Sequence, residues 1–244
     1  MIESQIRGVQ FFLREHFWGR LSFHRSLPPV SDSSPDTPNQ TPEHRFYELL
    51  IRKSFPNSSP NSSGEAERLT FQKVIDIGCR NGSYLPALRR LFPNAELLGV
   101  ELDSLRRYWN LYRRADYARA YAQACGARVL FGDFKELSTE SLRLPAQGAV
   151  LITLFYPFVS ERPCLKWGLP VQFSDFDQLI LKIKNLRTQN PTLDFHLMSA
   201  HQGEWEAEKA RAVLAGATEI IHSPEEFASL WPSPHPVHTF TYKF

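Results

Sequence analysis

Three carboxylates and a short glycine loop carry the chemistry this sequence could do. Residues 74–84 read VIDIGCRNGSY, so Asp76 is followed by Gly78, Arg80 and Gly82 at steps of two. Glycines at such a point let the backbone turn tightly and approach a ligand, and a helix starting at Ser83 would offer free N–H groups to an anion. Glu101 then ends the apolar run AELLGVE, and Asp133, with Phe134 beside it, follows LFG. One carboxylate at a strand end is commonly a helix cap or a solvated loop residue. Three acids after three successive strands form a constellation that this bland reading does not explain. A dinucleotide loop, G-x-G-x-x-G, needs glycines two and then three apart, whereas Gly78 and Gly82 stand four apart; a P-loop is excluded because no GK[ST] follows.

The elements that must position these residues alternate along the chain. Short apolar runs at 73–77, 95–102, 127–132, 149–155 and 192–200 read as strands, separated by helical patterns at 83–92, 104–124, 174–189 and 203–215. ATEII (217–221) and VHTFTYKF (237–244) close the chain as strand-like segments. Alternation of this kind predicts right-handed crossovers and a mostly parallel sheet with helices on both faces. Ligands of such sheets bind beyond the carboxyl ends of the strands, near the point where strand order reverses. The loops after residues 77, 101, 132, 155 and 200 are therefore expected to share one rim.

The N-terminal part has a different texture. Residues 2–18 place Ile2, Ile6, Val9, Leu13 and Phe17 at helical spacing, which predicts a helix whose apolar side packs on the main domain; the alternatives are a helix that binds a partner or a membrane surface, although Arg7 and Arg14 are few for a lipid headgroup anchor. The stretch 27–42, with five prolines, and PNSSPNSSGE at 56–65 read as linkers on either side of a second helix that starts at Glu43. The expected organisation is an N-terminal helical extension, 1–68, and a ligand-binding domain, 69–244.

VIDIGCRNGSY resembles the first motif of the class I S-adenosylmethionine-dependent methyltransferases, D/E-x-G-x-G-x-G. Asp76, Gly78 and Gly82 match, and Arg80 stands at the middle glycine. Glu101, 19 residues beyond Gly82, and Asp133 with Phe134 fall where that family keeps further cofactor contacts. The resemblance implies a Rossmann-like α/β fold whose seven-stranded sheet is completed by an antiparallel hairpin of the last two strands. It also implies S-adenosyl-L-methionine as cofactor, held by Asp76, Gly78, Cys79, Arg80, Gly82, Glu101, Leu102, Asp133 and Phe134. In this family the acid at Glu101 takes both ribose hydroxyls, which suits a carboxylate with two acceptor oxygens. The acid at Asp133 takes the adenine amino group, and Phe134 covers the base. At Arg80, a positive φ would cost on the order of 1 kcal/mol for a non-glycine residue; a negative φ would leave it unstrained.

Methyl transfer is an in-line displacement, so the protein mainly supplies alignment and a place to lose a proton. Candidate acceptor-side residues follow the fourth and fifth strands. Tyr156 and Phe158 could stack on a planar acceptor or simply pack on the next helix, and His201 could act as a general base or be a cap, with Glu161 a weaker candidate. The stretch YPF lacks the Asp or Asn of the [DN]PP[YF] motif of amino-methylating enzymes. It also lacks the proline-aspartate-proline-tryptophan stretch of the tRNA guanine-N7 branch. Between residues 104 and 124, Arg106 and Arg113, like Arg107 and Arg114, stand seven apart among tyrosines. On a helix this is either a solvated face or a strip that contacts RNA.

Composition excludes several other classes. The net charge of +2 over 244 residues is too mild to diagnose nucleic-acid binding. Cys79, Cys125 and Cys164 form no CxxC pair, which argues against a zinc cage or a disulfide framework. The longest wholly apolar run, 149–155, is far too short for a membrane span, and the charged N-terminal pattern does not read as a signal peptide, so a cytoplasmic protein is expected. The function expected is methyl transfer to an unidentified acceptor, either a small molecule or RNA. The alternatives are a cofactor-holding interaction protein without turnover and, less well matched, a nicotinamide oxidoreductase. The segment before residue 69 could form a lid over the site.

Overall fold

The computed structural model describes residues 2–30, 41–55 and 70–244. Most of the stretches expected as linkers, residues 31–40 and 56–69, lie outside the described residues. Two helices come first, α1 (Ile2–His16) and α2 (Pro42–Ser54). The alternating part follows: β1 (Phe71–Ile77), α3 (Leu85–Leu91), β2 (Glu96–Glu101), α4 (Arg114–Cys125), β3 (Arg128–Phe131), α5 (Thr139–Leu142) and β4 (Gly148–Phe155). After it come α6 (Glu161–Lys166), α7 (Phe176–Gln189), β5 (Leu193–Gln202), α8 (Glu204–Val213), β6 (Thr218–His222) and β7 (Val237–Lys243).

The strands form one seven-stranded sheet in the order β3-β2-β1-β4-β5-β7-β6. β7 runs antiparallel to both β5 and β6, and every other pairing is parallel. The order reverses between β1 and β4, so the loops after Ile77 and Phe155 flank the switch point. Alternate residues of β4 serve the two cores: Leu151 and Phe155 face one side of the sheet, while Val150, Ile152 and Leu154 face the other. The first core takes in α2, α3 and α4, and the second α7 and α8. Placed by the sequence within the extension, α2 sends Phe46, Tyr47, Leu50 and Ile51 into the same core as Phe71 of β1 and Val237 of β7.

Two expectations about helices are corrected. Residues 104–113 do not begin the long helix read at 104–124. They form a turn closed by a bridge between Arg107 and Arg113 and by the Tyr108 N–H donating to the Tyr112 carbonyl at 2.9 Å, with Leu111 at a positive φ. The helix starts only at Arg114, where Asp116 accepts the N–H of Arg113 at 2.8 Å. Helical spacing failed here because the arginines find better partners off the helix. Arg106 bonds to Asp103 and to the carbonyl of Trp167, Arg107 to carbonyls of residues 18–21, Arg113 to Asp116 and Arg114 to Glu101. The arginine strip expected on one helix face is therefore dispersed.

The second correction is to α1. Its apolar stripe does not pack on the domain: Ile6 and Val9 are exposed, as is Phe17 just beyond its end, and Leu13 is half-buried. The side turned inward carries Phe11, whose ring meets Phe173 at 5.2 Å, and Arg14, whose guanidinium lies 2.6 Å from Asp103. An ion pair and one aromatic contact at the rim set the helix's rotation, and the aliphatic stripe is left outside.

Candidate functional site

The carboxyl ends of β1, β2 and β3 meet around one cavity of about 360 Å3, a size suited to a small molecule. Gly78 and Arg80 line it from the first loop, Glu101 and Leu102 from the second, and Asp133 and Phe134 from the third. The rest of the wall is largely aromatic, with Tyr156, Phe158, Trp167 and Trp231 among its lining. The rim expected from strand alternation is therefore present, and one residue from each of the three acidic positions except the first reaches it.

Asp76, Cys79 and Gly82 are not on the cavity wall; they hold the loop from behind. Asp76 is 1 % exposed and accepts a hydrogen bond from Thr153 Oγ1 at 2.9 Å, while its Oδ2 has no protein partner. Burial pushes its carboxyl up to about 7, with Thr153 opposing the shift. The folded chain thus keeps a proton that the unfolded chain has already released, so this group lowers stability as pH rises from the ordinary carboxylate range to about 7. Cys79 is buried against β2, where a side chain on Gly99 would come within 2.8 Å of its Sγ. Gly82, at a φ of 80°, lets α4 pass so closely that an added Cβ would lie 3.1 Å from Ala118 Cα.

Arg80 adopts the left-handed conformation, with a φ of 54°. The cost, on the order of 1 kcal/mol, is set against several contacts. Its backbone N–H donates to Glu101 Oε2 at 2.8 Å, and its guanidinium donates to the Tyr84 hydroxyl at 2.9 Å. Glu43 of α2 lies 3.7 Å away and the Trp167 ring 5.6 Å away. The arginine keeps the backbone shape a glycine would give and ties the loop to α2.

Glu101 is 3 % exposed and firmly oriented. Its Oε1 accepts from the Asp103 N–H at 2.8 Å and from Arg114 at 2.9 Å, and its Oε2 accepts only the Arg80 N–H. Burial raises its pKa, and the Arg114 charge pulls it back. One acceptor position on Oε2 remains for a ligand hydroxyl. Arg114, which the sequence reading placed in a surface strip, is the buried counter-ion of this carboxylate. Asp133 caps the Lys135 N–H at 3.0 Å and has the Lys135 ammonium at 3.6 Å.

The sheet decides the family of folds. Its strand order 3-2-1-4-5-7-6, with the antiparallel last strand, is the typical order of one α/β fold. This is the class I methyltransferase fold. Neither a family model nor a curated relative matches the sequence. Among solved structures, the chain is similar to a human methyltransferase 10 domain containing protein, with a TM-score of 0.47 at 12% identity over 98% of this chain and 95% of that one. It is also similar to a cyclopropane-fatty-acyl-phospholipid synthase-like protein from Lactobacillus casei, with a TM-score of 0.48 at 11% identity over 90% and 96% of the two chains. A SAM dependent methyltransferase from Aquifex aeolicus gives a TM-score of 0.45 at 12% identity, over 84% of this chain and 99% of that one. At these identities the likeness is one of fold.

Within this methyltransferase fold, the residues fit S-adenosylmethionine. Gly78 has a φ of 78° and no atom within 4 Å of where a Cβ would stand, which leaves an open cradle at the loop. Glu101 offers its remaining acceptor position beside it, and Phe134 gives a buried flat surface at the third loop.

The two residues expected to serve catalysis fare differently. His201 does not line the cavity. It is 1 % exposed, shares a hydrogen bond of 3.0 Å with Ser199, and sits between the rings of Phe176 and Phe240. Burial pushes its pKa down to about 3, so it remains neutral. The reason is strand register: β5 runs on to Gln202, which puts His201 on the core side and turns Gln202 to the cavity. Tyr156 does line the cavity, with a φ of 55°. Its hydroxyl has no protein partner, and burial raises its pKa far enough that the phenol keeps its proton at neutral pH. The Trp231 ring lies parallel to it within 12°, at 6.4 Å. Sequence reasoning missed Trp167, Trp231 and Tyr84; the two tryptophans sit on connections with no motif, and only Tyr84 lay within the quoted stretch.

Proposed function

We propose that the chain binds S-adenosylmethionine at this rim and transfers its methyl group to a small, largely apolar acceptor admitted to the aromatic half of the cavity. The bound cofactor supplies an electrophilic methyl group on a sulfonium. The convergence of the Gly78–Arg80 loop, Glu101 and Phe134 on one cavity at the switch point carries this reading. Glu101 would orient the ribose, and the Gly78 cradle would admit the rest of the cofactor close to the backbone. Tyr84, Tyr156, Trp167 and Trp231 would exclude water and stack on the acceptor. The Tyr156 hydroxyl is buried and keeps its proton, so Tyr156 would serve the acceptor through its ring rather than as a base.

None of the arginines at 106, 107, 113 and 114 lies along one helical strip, so support for an RNA acceptor is weaker than for a small molecule. Calorimetric titration of the full chain with S-adenosylhomocysteine, with NADH as comparator, tests the cofactor assignment. Saturable binding of the first and none of the second is expected. Binding of NADH alone would move the protein to hydride chemistry.

A further inference from the structure

The outward side of the N-terminal segment is a feature that methyl transfer leaves unused. Ile6, Val9 and Phe12 are exposed on α1, and Phe17, Trp18, Leu21 and Phe23 are exposed in the segment after it. A second element joins them: Trp109, at the tip of the 108–111 turn, is 103% exposed. The two elements are fastened together rather than merely near. Arg107 donates to the carbonyls of Trp18, Gly19 and Leu21 and lies 4.7 Å from the Phe23 ring. His24 stacks on Tyr112 at 3.7 Å and meets the Asn110 carbonyl at 2.8 Å. Much of the chain's own machinery is thus spent on holding an apolar surface in the solvent.

The charge of this surface is one-sided. Arg20 and Arg25 are exposed, and Arg20 and Arg107 bond to backbone carbonyls rather than to carboxylates, which leaves their positive charge in place. Of the acids coupled to them, Glu15 near Arg20 is half-buried beside Arg14, and Asp116 near Arg107 is already paired with Arg113. Aliphatic and aromatic side chains bordered by arginines match the boundary between headgroups and acyl chains of an anionic bilayer.

Other occupants fit less well. The remaining stretches, 31–40 and 56–69, contain no aromatic residue and, apart from prolines, only Ala66 and Leu69 as apolar side chains, so they have little with which to cover the surface. A second copy in a two-fold contact would set two faces of the same positive charge against each other. A single-stranded nucleic acid would stack on the aromatic rings but would leave Ile6, Val9 and Leu21 wet. We infer that this face docks on the surface of an anionic lipid membrane, with Trp18, Leu21, Phe23 and Trp109 entering the interface and Arg20, Arg25 and Arg107 meeting headgroup phosphates.

Flotation of the full chain with vesicles tests this, using phosphatidylcholine alone or mixed with phosphatidylserine. Binding to the anionic vesicles that weakens with added salt is expected. Arg20→Glu with Arg25→Glu is expected to reduce it by more than about thirtyfold, the effect of losing two positive charges alone. Trp18→Phe with Trp109→Phe should keep flotation but lose most of the tryptophan quenching by brominated lipid, whereas Leu21→Ser with Phe23→Ser should abolish flotation. All six changed side chains are exposed or at the surface, so unchanged melting temperatures are expected in every variant. Absence of binding to both vesicle types overturns the inference. So does binding to a single-stranded RNA oligonucleotide, or a concentration-dependent dimer, that the Leu21→Ser, Phe23→Ser variant loses.

Discussion

Helices α1 and α2 are of similar length, 15 and 13 residues, and each carries an amphipathic pattern ahead of the sheet. α2 turns Phe46, Tyr47, Leu50 and Ile51 into the core and ties the glycine loop after β1 through Glu43 and Arg80. α1 does the reverse: it docks through Phe11 and Arg14 and leaves its aliphatic stripe outside. The difference teaches that periodicity identifies a face but not where that face goes. For α2 the destination was decided by aromatic packing on Tyr84, Phe155 and Phe227, and for α1 by the buried carboxylate of Asp103.

Substitutions can break this contrast or sharpen it. Phe46→Ala empties a fully buried site and should lower the unfolding free energy by about 3–5 kcal/mol in urea denaturation. A loss below about 1 kcal/mol would mean that α2 is not part of the cooperative core. Arg14→Ala removes the ion pair of α1 and should cost roughly 1.5–3 kcal/mol, localised there. Hydrogen exchange should then speed up in α1 and stay unchanged in α2; equal acceleration in both would erase the distinction. Val9→Ser on the exposed stripe should change stability by no more than about 0.5 kcal/mol. A clear drop in melting temperature would place that stripe against something in solution.

Much of the sheet was legible because each strand is a short apolar run bounded by polar turns, although the helix after β2 starts ten residues later than its spacing predicts. The cavity rim was legible for a local reason: Gly78, Glu101 and Asp133 each sit within a residue or two of a strand end, where the sheet fixes their place. Arg80 could be weighed as two cases, and the positive φ is the one that occurs. His201 was misread because the strand runs two residues past its expected end, to Gln202, and a period of two sends His201 and Gln202 to opposite faces. The turn at 104–113 was missed because its cause is tertiary: Arg106 and Arg107 are drawn to Trp167 and to residues 18–21, far away in sequence. Trp231 reaches the cavity from the connection between β6 and β7, and nothing local to it signals a site.

The central claim is that Glu101 and the loop before it hold S-adenosylmethionine while Tyr156 serves the acceptor. Titrating S-adenosylhomocysteine into the wild type, Glu101→Gln and Tyr156→Phe tests it most directly. Loss of a charge-assisted bond to the ribose should weaken binding by Glu101→Gln about tenfold or more, with Tyr156→Phe bound as tightly as the wild type. Undetectable binding by the wild type, or equal affinity for wild type and Glu101→Gln, would contradict the assignment.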